Sequence, residues 1–184
     1  MISKSIKFIV LTLLAYLLQA TVAQRIAFAG IAPNLALALV AVVSVALGRK
    51  YTFVMSTTIG YLLEIMLPSL NYINMILYPV CCVLGAMTFS DKTERRLEEL
   101  RMQDKSTKQA SPHMRTMYCA MLSTGVFEFV NLFYTYLTGV PFGDLQYRRA
   151  LIDILYTTWL AGILQYPVRW WLGTYKLKKA RGTA

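Results

Sequence analysis

Histidine is nearly missing from this chain: His113 is the only one in 184 residues, and it stands in a polar connection. The apolar runs therefore hold no material for a histidine metal cluster or for a nucleophile paired with an imidazole base. Acids are scarce too, nine Asp and Glu against nineteen Lys and Arg. No glycine-rich loop of the kind that cradles a phosphate occurs. Cysteine is limited to Cys81, Cys82 and Cys119, all in apolar runs. Sequence neighbours rarely pair with each other, so these three read as small core residues rather than a disulfide framework or a metal site. The chain reads as non-enzymatic and as needing no cofactor.

What is abundant is apolar. The composition is 57% hydrophobic with a mean hydropathy of +0.48, too high for a soluble domain of this length. The length allows one domain, not two of ordinary size. The net charge of +10 invites a nucleic-acid reading, but the basic residues are confined to short connections and the tail. That is not the basic face that nucleic acid needs. In a membrane protein the same excess is the positive-inside signal.

The most informative stretch is 33–67. It reads PNLALALVAVVSVALG, then Arg49-Lys50, then YTFVMSTTIGYLLEIML. A run apolar on every side cannot be a surface helix in water. Pro33 suits a first helical position, where its missing N–H costs nothing, and Gly48 suits a helix end. The second run carries Thr52, Ser56, Gly60 and Glu64 at intervals of four, so they share one face. Small and hydroxyl residues so spaced let helices approach closely in a bilayer. Ile59 and Ile65 fall off this stripe and are expected to face lipid. The whole reads as a transmembrane hairpin with a cytoplasmic basic turn.

Periodicity and breakers predict six spans in one transmembrane domain, at about 6–23, 33–47, 51–67, 72–90, 114–138 and 146–173. The first carries Lys4 and Lys7 ahead of it and Thr21-Val22-Ala23 at its end, as a signal peptide would, but a retained first helix is simpler. The second is short, about 22 Å against a core of about 30 Å. A Pro68–Asn71 turn follows the third span, and Pro79 lies inside the fourth as an expected kink.

The 91–113 connection is polar, with six basic and five acidic residues. Asp91 and Glu94 have capping-box spacing, and Asp91–Arg95 and Arg95–Glu99 are four apart. It reads as a solvated continuation of the fourth helix, or as a docking element for a cytoplasmic partner or the lipid surface. A turn over 139–144 joins the last two spans. Trp170, Trp171 and Tyr175 form an aromatic anchor ahead of the basic tail. With both termini in the cytoplasm, 16 of the 19 Lys and Arg lie inside, and only Arg25, Arg148 and Arg149 lie outside. The orientation is N-in and C-in.

Three acids fall within spans: Glu64, Glu128 and Asp153. An intramembrane acid must face protein or water. Asp153 starts a row with Thr157, Ala161, Gln165 and Arg169. The three acids can gather in the outer half of the bundle as a polar pocket for a ligand, an ion or a partner helix. Alternatively, each is hydrogen-bonded within the bundle and only structural, with Arg148 and Arg149 near enough to pair with Asp153. Small residues also line more than one face, Ala38, Ala41 and Ser44 on the second span and Ser56 and Gly60 on the third. Some of that surface is expected to remain for a partner helix.

The order of features resembles a known family. An N-terminal span is followed by Pro33-Asn34-Leu35 opening a short apolar helix. A tight basic turn, Gly60-Tyr61-Leu62-Leu63-Glu64, a Pro/Asn turn and another span come next. Over about residues 30–90 this resembles the bacterial rod-shape-determining protein MreD family. Asn34 and Glu64 stand where that family often has aspartate. The resemblance implies a multi-pass protein of the bacterial cytoplasmic (inner) membrane that is not an enzyme. It implies binding to the bitopic protein MreC, and work alongside the MreB filament, the RodA glycosyltransferase and a class B penicillin-binding protein in lateral peptidoglycan synthesis. It also implies an all-α fold similar to the substrate-binding S-component of energy-coupling-factor transporters. A vitamin-type binding subunit is accordingly the alternative.

Overall fold

Every residue from Leu35 to Val45 is buried, and the other helices are arranged around this segment. The computed structural model describes residues 2–28, 30–66, 72–90, 102, 110–139 and 143–173. Among them are six α-helices and no strand. These are α1 (Ile2–Leu17), which passes into a π-helical turn (Leu18–Val22), α2 (Leu35–Leu47), α3 (Arg49–Met66), α4 (Ile73–Phe89), α5 (Pro112–Leu137) and α6 (Asp144–Trp171). The expected Pro68–Asn71 turn, the pairings from Asp91 to Glu99 and the anchor and tail from Tyr175 onward lie outside the described residues.

Helix α2 packs against α3, α4, α5 and α6. Neighbours on all sides explain why it is apolar on all sides. Two helical stretches, Ser5–Val22 and Pro112–Leu137, are long and apolar enough to cross a membrane, while Leu35–Leu47 and Ile73–Phe89 are apolar but shorter.

Two expected boundaries move for identifiable reasons. Helix α2 begins at Leu35, not at Pro33, because the Asn34 side chain accepts the Leu37 N–H at 3.1 Å and so caps the helix. Arg49 and Lys50 are not a turn. They open α3, and Gly48 alone reverses the chain, at φ 86° and ψ −176°, a conformation essentially confined to glycine. The Thr52 hydroxyl locks the corner by donating to the Gly48 carbonyl at 3.0 Å.

The stripe on α3 faces inward: Thr52, Ser56, Gly60 and Glu64 are all buried. Ile59, expected to face outward, is fully buried as well, whereas Ile65 is exposed. Met55 and Ile59 join the stripe at helical spacings of three and four, so the buried face is wider than a single row. At Gly60 the helices α3 and α4 nearly touch. A Cβ there would stand 2.6 Å from the Asn74 carbonyl oxygen and 3.3 Å from the Met75 Cα.

The small residues of α2 do not remain for a partner. Ala38 and Ala41 are buried with Cys119 and Ala120 of α5 and Ala161 of α6. Ser44 is buried too, donating to the Val40 carbonyl at 2.8 Å, with its oxygen 3.0 Å from that of Thr52. Small side chains allow close approach, and here the chain's own helices make that approach.

The outer surface is apolar, as the core is, and the core also holds polar residues. Exposed side chains include Ile9 and Leu13 on α1, Phe53 on α3, Ile76 and Leu84 on α4, Phe129 and Phe133 on α5, and Leu155 and Trp159 on α6. The buried set holds Asn34, Ser44, Thr52, Thr116, Thr124, Asp153, Thr157 and Gln165.

Candidate functional site at the amino end of the central helix

A helix start leaves backbone N–H groups without intrahelical partners, and at the buried start of α2 they must be satisfied by side chains. Asn34 takes the Leu37 N–H, and Gln19 accepts the Ala36 N–H at 3.1 Å. Gln19 belongs to the π-helical turn at the end of α1, so that irregularity sits where the side chain is needed. The Asn34 backbone N–H donates to the Thr157 hydroxyl oxygen at 2.9 Å and lies 3.3 Å from Asp153 Oδ1. Thr157 in turn donates to the same carboxylate oxygen at 2.9 Å. On the other side the Asn34 amide and the Tyr78 hydroxyl exchange hydrogen bonds at 3.1 and 3.2 Å. The Tyr78 ring packs edge-on against Phe127, at 5.2 Å between centroids. Two other helices, α4 and α6, thus converge on one asparagine.

Beside this network lies a cavity of about 350 Å³, walled by Glu128, Asn131, Gln146, Arg149 and Asp153 together with Gly30, Ile31 and Ala32. The Glu128 and Asp153 carboxyl groups are within hydrogen-bonding reach of each other. Two such groups repel when both are ionised, unless a proton or a cation lies between them. Asp153 is nearly fully buried, Glu128 is partly buried and Arg149 is exposed at the rim. The residues present can hold a small polar molecule or an ion.

The structure therefore brings together Asn34, Glu128 and Asp153 of the expected polar residues. Glu64 lies apart from them. Its Oε2 accepts the Asn74 N–H at 3.2 Å, which satisfies a donor in the first turn of α4. Of the two outer arginines, Arg149 stands on the cavity wall. Ala38, Ala41, Ser56 and Gly60 belong to packing faces between helices. Tyr78 and Gln19 were not singled out from the sequence. Gln19 carried a usable signal, being a polar residue inside an apolar run; Tyr78 is one tyrosine among twelve and carried none.

Comparisons of the chain with protein-family models, with curated proteins and with solved structures find no match.

Proposed function

We propose that this chain is a multi-pass membrane protein with six spans. In this reading it is a non-enzymatic scaffold of the bacterial elongation machinery, binding an MreC-like bitopic protein by its membrane anchor. The membrane part is supported by the large apolar side chains exposed on every helix but α2, around a core that also shelters polar groups. In lipid that arrangement is the stable one, since polar groups need partners and apolar groups do not need shelter. Helix α2 is then screened from lipid by its neighbours, so its shortness requires no thinning of the bilayer.

The observation that carries the scaffold reading is an apolar concavity on the outer surface. The centre of the bundle is filled by α2, while an open groove of about 490 Å³ runs on the outer surface between α3 and α4. Phe53, Ile76, Pro79, Val80 and Leu84 line it. A single transmembrane helix has the shape and chemistry to lie there, and this face replaces the alanines of α2 as the partner surface. The resemblance over residues 30–90 supplies the identity of the partner.

A second reading, the small-molecule-binding subunit of an energy-coupling-factor transporter, is favoured by the polar cavity at the start of α2. Depletion in a rod-shaped host separates the two. The scaffold reading expects round cells with normal solute uptake. Normal cell shape together with loss of uptake of one vitamin or metabolite would overturn it.

A further inference from the structure

The wall of the cavity beside Asn34 carries both signs of charge, and its three ionisable groups are not equivalent. Asp153 is already engaged. One oxygen accepts from the Thr157 hydroxyl and from the Asn34 N–H, at the positive end of the α2 dipole. Glu128 has an opposite charge, Arg149, on the same wall. It stands partly buried next to that second carboxyl, so a cation delivered to it is held by both acids. Arg149 lies on the same wall toward the rim, with a planar fork of donors suited to a carboxylate. Asn131 and Gln146 add neutral amides to the wall, the Gln146 oxygen already accepting the Gly143 N–H at 2.9 Å. The volume of about 350 Å³ is within the range of small-ligand sites.

We infer that this cavity binds a small zwitterion of the amino-acid type, its ammonium group against Glu128 and Asp153 and its carboxylate against Arg149. An uncharged ligand uses neither pole of the wall. A simple amine leaves Arg149 unused, and a simple carboxylate meets two acids. The inference does not depend on the scaffold reading, because it concerns the cavity beside Asn34 and not the α3–α4 groove.

The test uses the whole chain, purified into lipid nanodiscs. Binding is measured by calorimetry and by the shift in melting temperature. The probes are L-alanine, L-leucine, L-glutamine, L-lysine and L-glutamate, each alone, with n-propylamine and propionate as half-molecules. The expected result is saturable binding of at least one amino acid and none of either half-molecule. Arg149→Gln and Glu128→Gln should each weaken that binding about tenfold or more, the loss of a charge-assisted contact. Asp144→Asn, an exposed change outside the cavity wall, should leave it unchanged. Should Glu128→Gln not fold, Arg149→Gln decides, since that side chain is exposed. Absence of binding by all five amino acids overturns the inference. So does equal binding of a half-molecule, or binding that survives Arg149→Gln.

Discussion

The backbone N–H of Asn34 and the hydroxyl of Thr157 meet at 2.9 Å across 123 positions of sequence, fastening α6 to the start of α2. Removing the hydroxyl leaves a buried donor with only the longer contact to Asp153, at 3.3 Å. Thr157→Val should therefore destabilise the protein by about 1–3 kcal/mol. Asn34→Ala keeps that backbone donor but should cost at least as much, since it deletes both the cap on Leu37 and the partner of Tyr78. Thermal denaturation in mild detergent measures both, and a Thr157→Val protein as stable as the parent would contradict the network's role.

Gly60 stands where a Cβ would collide with backbone of α4, which cannot swing aside as a side chain can. Gly60→Leu should sharply reduce the folded yield, while Ile65→Leu on the exposed edge should leave it unchanged. Ile59→Ala should cost about 2–5 kcal/mol, as a buried truncation does. Size-exclusion profiles of the three variants give the comparison.

Glu64 works as an acceptor for the Asn74 N–H, a task that does not require charge. Glu64→Gln keeps an oxygen in place and should cost less than about 1 kcal/mol. Glu64→Leu leaves the amide unpaired and should cost about 1–3 kcal/mol. Equal melting temperatures for the two variants would show that the hydrogen bond contributes nothing.

Ala41 and Val80 separate packing from docking. Ala41→Leu overfills the contact with α5 and α6 and should lower the amount of folded protein, whatever the partner. Phe53→Ala with Val80→Ala alters only exposed groove residues. That double variant should stay folded in the membrane and co-purify less of a bitopic partner. Unchanged co-purification would move the partner to another face.

The charge distribution predicts which end is outside. A thiol introduced at Gly143, an exposed position, should react with an impermeant reagent added to intact cells, and one at Thr107 should not. The opposite pattern would invert the layout and place the Asn34 cavity on the cytoplasmic side.

Much of the helical order was legible because its signals are local. An apolar run ended by Gly48 and a four-residue stripe from Thr52 to Glu64 each act over a few residues. The sequence by itself also determined that the interior would be polar in places, since Glu64, Glu128 and Asp153 had to be sheltered somewhere. Only the tertiary structure decided how. Burial of α2 on every side turned Ala38 and Ala41 from candidate partner contacts into internal packing. The same burial left the N–H groups at its start dependent on distant side chains, Gln19 and Thr157. It also parted Glu64, which completes α4, from Glu128 and Asp153, which share a cavity wall. The spacing of residues along one helix states which of them share a face. Which neighbour covers that face depends on contacts between segments more than a hundred residues apart, and no local pattern encodes them.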